Sequence, residues 1–473
     1  MHRLFLFPIL IVFIFTGCTL TPEYKRPDAP VPNQWPTEDA YKQKTAAASA
    51  QSTAELPWRD FIADKRLQKV IETALTNNRD LRIASLNVDR AQAYYGIQRA
   101  GFLPSVQGIG NWTKQHVPGD LSSTRSALTT ERYDVNLGIS SWEIDFFGRI
   151  RSLKDQALES YLATEQAHRS AQILLITTTV QAYMTLAADR ETLTLVASTL
   201  ESQKAAYNLI KKRYDVGVIS ELDLRRAQSQ METARGNLAR YTQVVAKDEN
   251  VLNLLVGCPV PQELLPLALS KIIPPKTLSP GLSSEVLLHR PDVLAAEHRL
   301  KAANANIGAA RAAFFPRISL TAAFGTASAE LSGLFKGGQK AWNFTPRIAM
   351  PIFDARTWSS YEVTKVEKEL AVAQYEKAIQ TAFREVADAL ASKGPIDRQI
   401  EAQQALVDTL EETYRLAGLR YEKGIDSYLS VLDAQRSLYG AKQGLISLRF
   451  AHLANRVEFY KTLGGWSVDT GTL

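Results

Sequence analysis

The order of apolar and polar residues divides this chain into short alternating stretches and very long helical ones. Tyr133, Val135, Leu137 and Ile139 alternate with Asp134, Asn136, Gly138 and Ser140. Trp342 to Met350 alternates as cleanly, and from Ile318 to Gly325 the larger apolar residues fall on alternate positions. Such alternation predicts a strand with one apolar and one polar face. Ser105 to Trp112 alternates poorly and is assigned as a strand mainly by its place in an internal repeat. The predicted strands lie at about 104–117, 132–145, 316–328 and 341–353, with Pro346 weakening the last ladder locally.

The helical stretches are unusually long. Arg149 to Val216 contains neither Gly nor Pro, which predicts one helix of about 100 Å at ~1.5 Å per residue. A partner helix begins after Gly217, with Ser220 as N-cap and Asp223 as the capping-box acid. Along it Leu224, Ala227, Met231, Ala234, Leu238, Tyr241, Val245, Asp248, Leu252 and Leu255 follow 3-4-3-4 spacing. Val431, Ala434, Leu438, Ala441, Leu445 and Leu448 repeat that stripe. A sustained heptad stripe predicts coiled-coil packing. Asp248 breaks it once, and His452 and Asn455 end it. The stretch from Arg356 to Lys423 is interrupted by Gly394-Pro395, so a break or kink is expected there.

Both sets of elements occur twice, in the same order. Asn78-Arg79-Asp80-Leu81 returns as Arg290-Pro291-Asp292-Val293, and Ala100-Gly101-Phe102-Leu103-Pro104 as Ala312-Ala313-Phe314-Phe315-Pro316; 292 − 80 and 316 − 104 both give 212. Arg213-Tyr214-Asp215-Val216-Gly217 returns as Arg420-Tyr421-Glu422-Lys423-Gly424, and Leu255-Val256-Gly257 as Thr462-Leu463-Gly464; 424 − 217 and 464 − 257 both give 207. A period this long is a duplicated supersecondary unit rather than a solenoid repeat. The expected organisation is a leader at 1–17, an extended segment at 18–58, a first repeat at 59–256 with its helical hairpin tip at 215–223, a linker at 257–284, a second repeat at 285–465 with its tip at 422–430, and a tail at 466–473.

The N-terminus carries its own chemistry. His2-Arg3, an apolar run from Leu4 to Phe15, then Phe15-Thr16-Gly17-Cys18 read as a secretory leader ending in a lipobox. Cys18 is then the expected site of thioether lipidation, followed by cleavage and N-acylation; acyl chains contribute roughly 0.8 kcal/mol per buried methylene. The only other cysteine, Cys258, would have no intrachain partner. Past the leader, no apolar run is expected to cross a membrane as a helix. The net charge of +6 comes from interspersed positive and negative residues, which argues against a nucleic-acid surface.

Four strands with one apolar face cannot close a membrane barrel alone, since an open edge in hydrocarbon leaves backbone groups unpaired and single-chain barrels begin at about eight strands. Two copies would give a narrow, filled barrel; three would give twelve strands and room for a pore. The fold class expected is mainly α with a membrane β-barrel, internally duplicated.

The chain resembles the outer-membrane efflux channels of the TolC family, and is most similar to the lipidated branch typified by OprM. The resemblance is carried by Tyr24-x-Arg26-Pro27, Asn77-Asn78-Arg79-Asp80-Leu81, Trp142-Glu143-x-Asp145-x-Phe147-Gly148-Arg149, Tyr214-Asp215-Val216-Gly217, His289-Arg290-Pro291-Asp292, Ala309 to Pro316 and Leu432 to Leu438. It implies a homotrimer with a 12-stranded β-barrel on a 12-helix coiled-coil α-barrel, lipid-anchored in the outer membrane and reaching into the periplasm. It implies a passive, gated exit duct of a tripartite multidrug pump of the resistance-nodulation-division (RND) type. The partners would be a periplasmic adaptor (a membrane fusion protein) and the inner-membrane RND pump. The lipid on Cys18 would be the only covalent group, with no cofactor and no metal.

By the same resemblance, Leu429 and Asp433 match positions that narrow the closed periplasmic tip, and Asp433 and Arg436 match an ionic network there. Asp426, Tyr421 and Asp223 match other tip positions, Asp426 standing where some members carry Arg. The 207 offset sets Asp433 opposite Arg226, which opens an interhairpin pair as an alternative to Asp433–Arg436. Val216, Gly217 and Val218, with Lys423, Gly424 and Ile425, are the expected adaptor contacts. The six His have no metal-ligand spacing, and no P-loop, GxGxxG or nucleophile elbow occurs, so no enzyme is expected. Two other readings compete: an outer-membrane channel for metal-ion efflux or type I secretion, and, in another class, a periplasmic coiled-coil adaptor.

Overall fold

A computed structural model describes residues 19–38, 41, 56–278 and 283–465. The leader, the lipidation candidate Cys18 and the tail at 466–473 lie outside the described residues. The elements are α1 (Trp58–Phe61), α2 (Lys65–Asn77), α3 (Arg79–Ala100), β1 (Val106–Val117), β2 (Leu128–Ile144), α4 (Arg149–Asp215), α5 (Glu221–Val256), α6 (Pro291–Ala312), β3 (Arg317–Ser328), β4 (Lys340–Ala349), α7 (Ala355–Glu422) and α8 (Tyr428–Thr462), with short 3-10 turns in the linker and loops. The chain divides into two compact units, with α3, α4, α6 and α7 each contributing residues to both and α5 and α8 lying wholly in the second.

The first unit holds the sheet. Its strands form an antiparallel meander in the order β1-β2-β3-β4, so β1 and β4 are both free edges. Across it Gly108, Leu137, Phe324 and Trp342 are successive register partners. Leu137, Phe324, Trp342, Phe344 and Ile348 are exposed in the single chain, making one continuous apolar face. A β-bulge interrupts β2: Ile139 pairs with Ala322 but Trp142 with Leu320. The extra residue reverses the parity, so Trp142 and Ile144 keep to the apolar face and Glu143 turns to the polar one. Ser141 accommodates the bulge with a left-handed φ of 52°.

The same unit binds the chain's own N-terminal strap. Arg311 donates to the carbonyl of Leu20, Asn304 to that of Pro22, and Tyr24 and Arg26 both donate to Glu297, Arg26 with two bonds at 3.1 and 2.6 Å. Glu297, Lys301, Asn304, Gly308 and Arg311 form a single stripe on α6 at helical spacing. A side chain at Gly308 would collide with Thr21 and Ser152, so glycine is what lets the strap lie against the helix. Burial opposes ionisation of Glu297, but Arg26 and Lys301 hold its carboxyl below the usual range.

The second unit is helical. Tyr183, Met184, Leu186 and Ala187 of α4 are fully buried. One window of α4 is apolar and long enough, by length and composition alone, to cross a membrane. More than half of it is buried inside the chain (56%), so its apolarity is accounted for by helix packing. Of the break or kink expected at Gly394-Pro395, the break does not occur, since α7 runs on through Pro395. The ring removes one ladder bond and crowds the preceding turn, yet the surrounding helix holds. The two repeats are tied off alike. Asn78 donates to the Leu255 carbonyl at 2.8 Å, and at the positions equivalent by the two offsets Arg290 donates to the Thr462 carbonyl at 2.7 Å. Arg290, nearly buried, is also held by Asp292 and Glu385, as a charge removed from water requires.

Candidate functional site

The two helical turns at the end of the second unit are built to one plan. Val218 N–H bonds the Arg213 carbonyl and Gly217 N–H the Tyr214 carbonyl; Ile425 and Gly424 make the same two bonds to Arg420 and Tyr421. This is the Schellman closure, and it needs a left-handed residue after the helix. Gly217 and Gly424 supply it, at φ of 75° and 70°. The turns leave their apolar residues in solvent: Val216, Val218 and Ile425 are exposed. Single exposed apolar residues are ordinary, but three at the apex of paired hairpins are a surface suited to a partner.

The next helices begin at Ser220 and Ser427. The Ser220 hydroxyl accepts the Asp223 N–H and bonds the Asp223 carboxylate at 2.8 Å. The acid therefore answers the cap through its hydroxyl rather than through the backbone N–H of a full capping box. Ser427 makes no side-chain cap, and Ser430 stands where the first copy has Asp223.

Beneath the turns, Ile210, Ala227, Tyr428, Val431 and Leu432 form a buried cluster, with Tyr421 packed against it. Burial, with Tyr414 and Tyr421 adding to it, pushes the Tyr428 phenol up to about 12. The Tyr421 ring lies 5.3 Å from that of Tyr428 and has the Arg213 guanidinium 5.2 Å from its centre. Tyr421 is thus a packing residue of the hairpin pair.

The charged candidates form three local pairs, beside an Arg225–Glu221 pair at the start of α5. Arg436 bonds Asp433 at 3.1 Å, Arg226 lies 3.7 Å from Asp223, and Arg420 grips both oxygens of Asp426 at 2.6 and 3.1 Å. Within one chain Asp433 is bound by Arg436, and the interhairpin pair with Arg226 is not made. The hydrogen bond from Arg420 holds the Asp426 carboxyl below its ordinary range. Leu429 and Asp433 are exposed while their neighbours Val431, Leu432 and Ala434 are buried, so both project from the packed side. Exposed i,i+3 pairs contribute only about 0.3–0.5 kcal/mol, and such a pair can be exchanged for another at little cost.

Arg420, Arg213 and Tyr428 belong to this site, although the pattern reading did not single them out. A signal was present: Arg213 and Arg420 are equivalent by the 207 offset. Only the second copy supplies an acid, Asp426, within reach. Its counterpart is Ile219, and Arg213 turns to the Tyr421 ring instead. The duplicated turns are therefore chemically unequal.

Comparison with known proteins gives a consistent result. The family model described as outer membrane efflux protein matches residues 70–258 and again 282–465. An antibiotic efflux pump outer membrane protein, ArpC of Pseudomonas putida, is 47% identical over 97% of this chain and 95% of its own length. A toluene efflux pump outer membrane protein, TtgC of the same species, shares the same identity and coverage. The crystal structure of the open state of the Neisseria gonorrhoeae MtrE outer membrane channel superposes with a TM-score of 0.85 at 36% identity, covering 96% of this chain and all of that one.

Proposed function

The chain belongs to the outer membrane efflux protein family, and from that premise we propose that three copies form the outer-membrane channel of a tripartite RND-type efflux pump. The observation that carries this is the sheet: four strands, one apolar face, two free edges. In hydrocarbon both edges must pair, and three sheets joined edge to edge make a twelve-stranded barrel wide enough for a path. The four long helices of each copy continue that path through the periplasm as a twelve-helix tube. The protein is a duct and performs no chemical step. Lipidation of Cys18 fastens it to the outer membrane, and the strap sets the start of the lipidated segment at the foot of the sheet, where Arg311 holds Leu20.

In this reading Leu429 and Asp433 narrow the tip. Three Asp433 carboxylates around an axis repel one another, so the Arg436 pairs are what keep a closed tip compatible with that crowding. A periplasmic adaptor binding Val216 to Val218 and Lys423 to Ile425 shifts the tip towards the open form. Two equally similar relatives are named for antibiotics and for toluene, which supports a broad cargo of small apolar and amphiphilic molecules.

Electron microscopy of the detergent-extracted protein, with three-fold symmetry tested rather than imposed, decides the architecture. A trimer with a barrel and a tube about 100 Å long is expected; a monomer or a barrel-less dimer would sink the channel and favour the adaptor reading. For the gate, Asp433→Ala should raise single-channel conductance in planar bilayers several-fold, by analogy with the loss of one barrier contribution. Unchanged conductance would remove Asp433 from the gate.

A further inference from the structure

The polar face of the sheet carries five charged residues, and four of them cancel. Register places Arg132, Asp134, Glu143, Arg317 and Arg347 on that face, opposite Thr113, Asn111, Ser319, Ala349 and Ser319 respectively. Arg132 pairs with Asp134 at 3.4 Å. Glu143, brought to this face by the bulge, is bonded by Arg317 and also by Arg149 at 2.7 Å. Arg347 forms no ion pair among the described residues and is exposed. Lys114, Glu131 and Lys340 belong to the apolar face, by their partners Glu131, Lys114 and Thr326.

Arg347 stands two residues before the end of β4, on the side from which α7 descends. It is diagonal to Arg317 on the same face, because Ser319 pairs with Arg347 and Arg317 with Ala349. Glu143, the carboxylate in register with it across Ser319, is already shared between two guanidinium groups.

We propose that Arg347 gives the duct a ring of uncompensated positive charge just inside the periplasmic mouth of the barrel, which favours anionic over cationic solutes there. This rests on the channel reading above: in a closed trimer the apolar face meets lipid, the polar face lines the lumen, and the three copies of Arg347 lie at one level. Rings of like-charged side chains set ion preference in wide pores, and a low-dielectric wall concentrates their field on the lumen. The class of cargo assisted is amphiphiles bearing a carboxylate, sulfonate or phosphate.

The test is the reversal potential in planar bilayers under a potassium chloride gradient, for the parent and for Arg347→Lys, Arg347→Gln and Arg347→Glu. Arg347→Lys should match the parent. Arg347→Gln should lower the anion-to-cation permeability ratio about two-fold near ~0.1 M salt, where the Debye length is about 10 Å, and Arg347→Glu should lower it further. The differences should shrink at ~1 M, where screening is within about 3 Å. Equal reversal potentials in all four, with conductance intact, would overturn the ring and leave the duct standing. Absence of conductance from every form, the parent included, would overturn the duct and the ring with it.

Discussion

At the scale of single residues, polar groups inside helical packing decide most of what the apolar pattern leaves open. Asp248 is the one acid in the α5 stripe, and burial together with its neighbour Asp189 pushes its carboxyl up to about 6. An unfolded aspartate titrates near 3.8, so the folded chain binds this proton more tightly. The contribution to stability is fully present below about 3.8 and is lost as pH rises from there through about 6. Asp248→Asn, whose amide can donate to Asp189, should raise the melting temperature at about pH 7.5 by a few degrees and by only a small fraction of that at about pH 4. Equal shifts at both pH values would detach the effect from this carboxyl. The break in the stripe was visible in the sequence, but its partner was not, because Asp189 lies on another helix at no fixed spacing. Arg290 is similar. Its motif was readable, whereas its bond to the Thr462 carbonyl requires the ends of the second repeat to meet. The gate candidates sit where the hairpin periodicity puts them, and the partner of Asp426 emerged only once the turn was folded.

Elements follow the pattern closely where one force dominates. Strand faces and long helices come from period two and from the heptad, and each extends over many residues. Departures occur where a local rule meets a larger one. The bulge in β2 adds one residue that no alternation can announce, and it decides which face Glu143 joins. Pro395 should interrupt a helix in isolation, but α7 is long and packed, and one lost ladder bond does not end it. The strap was legible only as a motif, since an extended segment has no period of its own. Its bonds to α6 make a concrete prediction. Glu297→Ala removes the acceptor for both Tyr24 and Arg26, at a cost to docking of about 1–3 kcal/mol. Tryptic cleavage after Lys25 should therefore speed up roughly ten-fold or more. Cleavage at the parent rate would mean that Asn304 and Arg311 hold the strap by themselves.

For the whole molecule, duplication gives two near-copies of one hairpin, strand pair and tie-off, and the copies differ most at their helical turns. The first turn has the Ser220–Asp223 cap, the second has the Arg420–Asp426 clasp, and only the second helix presents the Asp433–Arg436 pair. The unpaired edges of β1 and β4 have a further consequence, in the genetics of the assembly. A ring made from three sheets is as sound as its worst member. A variant such as Thr345→Pro, which removes a backbone donor from the free edge strand, should therefore act in a dominant-negative way. Produced in equal amounts with the normal chain, it should leave roughly one in eight trimers free of defective subunits. A cell carrying both forms should then be almost as sensitive to exported toxicants as one carrying the variant alone, and resistance near half the normal level would mean that the ring tolerates a faulty seam.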